Sequence, residues 1–262
     1  MAPITTMAII ILVSSMRKIE PSAISARHSR GQHMAADSNR AKNLLTALQL
    51  SSPALPIGGF AYSQGLEWAI EEGTIHDYSS AQSWITDMLH LSLGRQELVL
   101  WRACYQAVAA NQFEELAGLN ARIYALKETA ELRQETTQMG QSLARLFSVW
   151  DGAACLSRVA LTRPWTYPAA HAGLCASTGL DETTGMASFA WSWCENQVLT
   201  AIKHVPLGQT DGQRLLQGLH AELQIAIQTA QALELSRMGS ALFGLAVASA
   251  RHETQYSRLF RS

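Results

Sequence analysis

Charge is scarce in this sequence. Asp, Glu, Lys and Arg make up 16% of its 262 residues, well under the roughly 25% of an average soluble domain. A chain so poor in charge is expected to bury much of its surface, against itself or against other subunits, which points to a member of an obligate complex. The 20 basic residues nearly cancel the 21 acidic ones. No broad positive face is therefore available to neutralise a phosphate backbone, and nucleic acid is not an expected partner. Cysteine is sparse as well: Cys104, Cys155, Cys175 and Cys194 lie far apart and form no C-x-x-C. That spacing suggests neither a zinc knuckle nor a disulfide framework and fits free thiols in a reducing cytosol. Long hydrophobic runs are missing too, since a bilayer span takes about 20 apolar residues. "MAIIILVSSM" at 7–16 is shorter, and Arg17 and Lys18 follow it rather than precede it, so it is expected to be neither a signal peptide nor a membrane helix. "MGSALFGLAVASA" at 238–250 is rich in small residues and is expected to be a central core helix.

The constellations that carry catalysis are also absent. There is no G-x-x-x-x-G-K-[ST] to wrap phosphates, and "GQTDG" at 208–212 has neither the lysine nor the preceding strand of a P-loop. His76, His90, His171, His204, His220 and His252 occur singly, with no H-E-x-x-H. His252 and Glu253 are adjacent, and adjacent residues point apart on a helix. Ser51, Ser52 and Ser63 have no G-x-S-x-G elbow around them. A helical enzyme using Glu67, Glu131 or Glu135 as acid or base stands as a rival, although no titratable pair has diagnostic spacing. The chain is expected not to be an enzyme and to carry no cofactor and no metal site of its own.

From about residue 42 apolar residues recur at steps of three and four, and two-residue alternation is rare. Leu132, Thr136, Met139, Leu143, Leu146 and Trp150 form one stripe, with Arg133, Glu135, Gln138 and Arg145 off it. A second stripe runs through Leu216, Leu219, Leu223, Ala226, Ala230 and Leu233, with Thr210 or Asp211 as the expected cap. The spacing predicts helices near 42–51, 60–72, 79–93, 95–110, 113–127, 130–149, 153–161, 167–177, 182–203, 210–233 and 238–252. The fold class is therefore all-α: one compact bundle of about ten helices with no sheet. Residues 1–41 are expected to be a disordered extension, with Met1 and Met34 both open as the native start, and 42–262 the helical domain, ending in a docking tail at 252–262.

Three stretches do not look like ordinary helix surface. In "PALPIGGFAYSQGLE" at 53–67, Pro53 and Pro56 remove backbone donors and Gly58 and Gly59 allow positive φ or close approach. Phe60, Tyr62 and Ser63 are then expected to open a helix. The stretch is either a tight helix–helix connection or a docking element. "NQVLTAIKHVPLGQTDGQRLL" at 196–216 gathers amides and hydroxyls around Lys203, and these must be paired, internally or with a partner. "HETQYSRLFRS" at 252–262 carries Tyr256, Arg258, Phe260 and Arg261, the residue types enriched at interface hot spots.

Together with "ELRQETTQMGQSL" at 131–143, and in this order, the three stretches resemble the urease accessory protein UreF family over roughly residues 44–262. The resemblance implies an all-helical, cytoplasmic homodimer that binds UreD (also called UreH) and the GTPase UreG, and helps deliver nickel to apo-urease as a non-catalytic scaffold and regulator. A direct nickel carrier in the same complex is the alternative. The resemblance places partner contacts at Phe60, Tyr62, Ser63, Lys203, Gln209, Asp211, Tyr256, Ser257, Arg258 and Leu259. Phe60 and Arg258 map to family positions implicated in recruiting the GTPase, and Lys203 to one linked to its timing. Phe60 departs from relatives that carry tyrosine there, which removes the hydroxyl. A tail that orders on UreD binding, and so builds the UreG site, is the expected coupling device.

Overall fold

The computed structural model describes residues 39–240 and 242–262. What was expected of residues 1–38, including the choice between Met1 and Met34, lies outside the described residues. No strand occurs among the described residues, and the chain is all-α.

Helix α1 spans 39–51, and residues 45–262 form one compact unit. In that unit follow α2 (Leu66–Glu71), α3 (Tyr78–Met88), α4 (Leu98–Ala109), α5 (Phe113–Ala125), α6 (Ala130–Ala144), α7 (Tyr167–Thr178), α8 (Glu182–His204), α9 (Gln209–Ala232) and α10 (Phe243–His252). Their starts have local causes. Asp77 accepts from the Ser80 amide at 2.8 Å and Thr129 from the Leu132 amide at 3.2 Å. Asp181 accepts from the Thr184 amide at 2.9 Å. These are N-caps that satisfy first-turn donors of α3, α6 and α8. Pro168 sits in the first turn of α7, where its missing N–H costs nothing. Neither Thr210 nor Asp211 caps α9; the cap position is Gly208, and Asp211 lies inside the first turn.

Several expected boundaries move, and the helix expected at 153–161 is a 3-10 stretch, Ala153–Arg158. The break near residue 94 does not occur: α3 passes through a π-helical stretch, Leu89–Glu97, directly into α4. The wide turns leave the Arg95 carbonyl able to accept from the Gly239 amide at 3.2 Å, while α9 packs along the stretch. Residues 238–240 and 242 are not helical, and α10 begins at Phe243. The segment 145–150 forms turns after α6 rather than extending it.

The core is layered around α4 and α7, which pack mainly on each other. Trp101 is fully buried between them, and its indole Nε1 donates to His171 Nδ1 at 3.1 Å. The His171 ring sits edge-on to Tyr167 and Phe189. Burial pushes its pKa down to about 3, so it is a neutral core aromatic rather than a ligand. The α9 stripe is buried through Leu216, Leu219, Leu223, Ala226 and Ala230. On α6 the stripe is buried from Leu132 to Leu143, but Glu135 is buried with it, contrary to its expected place off the stripe.

Candidate functional site

The site is where the tail, 252–262, lies on the 53–67 turn and on α6. The turn is shaped first by its glycines. Gly58 takes φ 75° and leads into a single 3-10 turn, Gly59–Ala61. Gly65 takes φ 77° immediately before α2. A Cβ on Gly65 would sit 2.9 Å from the Ala248 Cβ of α10, so this position demands glycine both for conformation and for room. Phe60 and Tyr62 therefore do not open a helix as expected: Phe60 lies in the 3-10 turn and Tyr62 is extended.

Helix α8 holds the turn from below. Asn196 donates to the Tyr62 carbonyl at 2.8 Å, Gln197 to the Ser63 carbonyl at 3.4 Å, and the Trp193 indole to Gln64 Oε1 at 2.7 Å. The amide nitrogens opening the 196–216 stretch are thus paired within the chain, while Gln197 Oε1 is buried without a partner.

The tail then closes over the turn. The Ser63 amide and hydroxyl both donate to the Ser262 carbonyl, and the Arg261 amide donates to the Ala61 carbonyl at 2.8 Å. The Ser262 hydroxyl donates to Glu135 Oε2 at 2.9 Å, and Gln64 Nε2 donates to Glu135 Oε1 at 2.6 Å. Glu67 accepts from the Leu259 amide at 2.7 Å and from the Phe260 amide at 3.0 Å. His252 bridges two carboxylates, with Nε2 at 3.1 Å from Glu67 Oε2 and Nδ1 at 2.7 Å from Glu131 Oε2. Arg258 completes the chain by donating to Glu131 Oε1 at 2.6 Å. Phe260 is buried, with the His204 ring 5.3 Å from its own and the Lys203 ammonium 5.2 Å over its face.

These contacts set the electrostatics. Burial alone would raise the Glu67 carboxyl, but the Leu259 amide, the His252 ring and the Phe260 amide outweigh it and hold the group below the usual carboxylate range. Glu135 is the opposite case: burial dominates and pushes it up to about 7, against the hydrogen bonds from Gln64 and Ser262. Glu67, Glu131 and Glu135, the carboxylates of the rival enzyme scheme, do converge here. Each is engaged in holding the tail or the turn.

Of the residues singled out in the sequence, Tyr62, Ser63, Lys203, Arg258 and Leu259 are brought together. Tyr62 and Ser63 are buried, the Tyr62 hydroxyl donating to Gln138 Oε1 at 2.5 Å. Phe60, Tyr256 and Leu259 leave their side chains exposed, and Ser257 is exposed with its carbonyl accepting from Gln255 at 3.0 Å. Gln209 and Asp211 make no hydrogen bond to the tail among the described residues; Asp211 pairs with exposed Arg214 at 3.1 Å. Sequence reasoning missed the tail-holding role of Glu67, His252 and Glu131. Their only signal is a buried acidic residue in an apolar stretch, which becomes visible once burial is known. Glu253 caps α6 by accepting from the Ala130 amide at 2.9 Å. No group of three or more His, Cys, Asp or Glu among the described residues is arranged to hold a metal ion, and no described helix is long and apolar enough to cross a membrane.

The chain is similar to known proteins over most of its length. The UreF family model matches residues 75–220. The urease accessory protein UreF of Bordetella parapertussis is 48% identical over 220 residues, covering 82% of this chain and 100% of its own. That of Azoarcus sp. strain BH72 is 45% identical over 224 residues, 84% of this chain and 95% of its own. The bifunctional urease accessory protein UreEF of Bordetella bronchiseptica is 48% identical over 227 residues, 85% of this chain. The chain spans about half, 52%, of that longer protein. With the family model and near full-length relatives converging on one description, the chain belongs to the UreF family of urease accessory proteins.

Proposed function

We propose that this chain is a non-catalytic scaffold and regulator of urease maturation. It joins UreD/UreH, recruits the GTPase UreG, and supports GTP-dependent nickel insertion into apo-urease in the cytoplasm, acting as a homodimer. The observation that carries this is the way the tail is fixed. Its backbone is pinned by Glu67, Ser63 and Ala61, while Phe60, Tyr256 and Leu259 point outward with most of their apolar surface uncovered. Large exposed side chains on a held backbone lose little conformational freedom on docking, which favours a recognition surface over a frayed end.

In this scheme Phe60 and Arg258 form the recruiting face for UreG, with Tyr62, Ser63, Tyr256, Ser257 and Leu259 around them, and Lys203 below Phe260 senses the tail. Gln209 and Asp211 serve a separate contact. The tail already makes contacts within the chain, so UreD binding reinforces a docked tail rather than ordering a free one, as expected from the sequence. The test is size-exclusion chromatography with light scattering on this protein alone, with its cognate UreD, and then with UreG and GTP or GDP. A dimer that binds UreD and then retains UreG supports the scaffold. A chain that stays alone and binds nickel by calorimetry replaces it with the direct carrier.

A further inference from the structure

Beside the turn, and sharing Gln64 and Glu135 with the tail network, a cleft opens at Gly59 and Phe60 and runs inward between α6 and α8. Its walls are aromatic: Phe60 at the mouth, then Trp193, Phe189 and Tyr167. Two polar groups on this lining lack partners. The Tyr167 hydroxyl is buried without a well-aligned hydrogen bond, the Ser192 hydroxyl being the one protein group beside it, on a residue only 8% exposed. Glu195, half-buried on α8, makes no hydrogen bond or ion pair with any described side chain, and burial raises its pKa with nothing to offset it.

The other charged groups on the lining are already committed. Lys127 pairs with Glu97, and Glu135 is held by Gln64 and Ser262. The lining thus has Glu97 neutralised by Lys127, Glu135 only partly ionised at neutral pH, and Glu195 free. An unpaired, half-buried carboxylate and an unpaired phenol hydroxyl between aromatic faces call for a positive, hydrogen-bond-donating group on an apolar stem. The carboxylate supplies charge, the rings supply cation–π attraction, and the hydroxyl oxygen accepts an N–H. An anion would face net negative charge, and a purely apolar group would leave Glu195 and Tyr167 desolvated and unpaired.

We infer that this cleft is a receptor for a lysine or arginine side chain of a protein docked over Phe60, paired with Glu195 and capped by the Tyr167 hydroxyl. This rests on the docking role proposed for the Phe60 face, and it adds the charge and shape that the docked protein must present there.

The test uses the full chain and two probes, n-butylguanidinium and the uncharged, similarly shaped n-butylurea, followed by saturation-transfer NMR. The cation is expected to bind and the urea not. Glu195→Gln, which keeps shape and volume, is expected to weaken the cation about tenfold, and Tyr167→Phe about threefold, with unchanged thermal midpoints. Equal binding of both probes, or a cation affinity untouched in Glu195→Gln, overturns the site. Competition identifies the source: if saturating n-butylguanidinium displaces UreG, and Glu195→Gln weakens UreG retention, the occupant is as inferred. UreG retained regardless of the cation and of Glu195→Gln overturns the occupant although the docking role survives. The cation bound but no UreG recruited by the wild-type chain also overturns the occupant, and there it is the docking role that has failed.

Discussion

Glu67 holds the backbone of Leu259 across 192 residues of sequence, its Oε1 accepting the Leu259 amide at 2.7 Å while Oε2 takes that of Phe260 at 3.0 Å. One buried carboxylate on the first turn of α2 thereby fixes the tail. A charge-assisted bond to a backbone amide contributes about 1.5–3 kcal/mol. Burying the Phe260 ring adds about 1.5–3 kcal/mol. The tail is therefore held by a few concentrated contacts and not by a broad apolar interface.

Replacing that carboxylate should release the tail before it harms the bundle. Glu67→Ala leaves the Leu259 and Phe260 amides and His252 Nε2 without their acceptor, His252 keeping Glu131 on Nδ1, at a cost of about 2–4 kcal/mol. Hydrogen exchange should show lost protection at Leu259 and Phe260, with the amides of α4 and α7 remaining protected. Equal loss in α4 and α7 would mean that the tail and the core open together.

Phe260→Ala removes the ring from between His204 and Lys203 and should cost about 3 kcal/mol. Circular dichroism should give an unchanged helix signal at 25 °C with a lower thermal midpoint. An unchanged midpoint would show that the ring's burial adds nothing to stability.

Arg258→Ala acts at the surface. Its partner Glu131 is mostly buried, but the guanidinium is 38% exposed, so the stability change should stay near 1 kcal/mol. UreD co-purification should persist while UreG retention falls. Loss of UreD binding would place Arg258 in a different contact.

Phe60 is 65% exposed, so Phe60→Ala should shift stability by no more than about 0.5 kcal/mol and still weaken UreG retention. Phe60→Tyr should restore or improve on the parent. If Phe60→Ala recruits UreG normally, the ring is not part of the recruiting face.

The pH dependence of stability follows from Glu135. Its folded pKa of about 7 lies above the ordinary 4.5, so the native state binds the proton more tightly. The stabilisation is complete below about pH 4.5 and is lost as pH rises through 7, by roughly 3 kcal/mol in all. Glu67, with its lowered pKa, contributes the reverse, a stability lost only as pH falls below the usual carboxylate range. Thermal midpoints from pH 5 to 7.5 should fall in the wild type and stay flat in Glu135→Gln. A slope retained in that variant would assign it to another group.

Local sequence determined the helices. Three-and-four spacing is a short-range signal, and it placed most helices, while the starts expected at 60 and 238 lie at Leu66 and Phe243 and the helix expected at 153–161 is a 3-10 stretch, Ala153–Arg158. The UreF motifs also stood in the sequence, in order. Tertiary structure alone decided what the charged residues in those helices do. Glu135 sits beside the buried stripe of α6 at a spacing that looks solvated, and only the arrival of Gln64 and Ser262 makes it a buried acceptor. Glu67, Glu131 and His252 lie on three different helices, so no spacing rule could pair them. The continuous passage through Leu89–Glu97, where a break near Gly94 was expected, likewise depended on α9 packing along it and on Gly239 and Ser240 bonding to it. Helix formation answers to neighbours three or four residues away. The partner of a buried charge is whatever the folded chain brings within about 3 Å, and here that is often more than 100 residues distant.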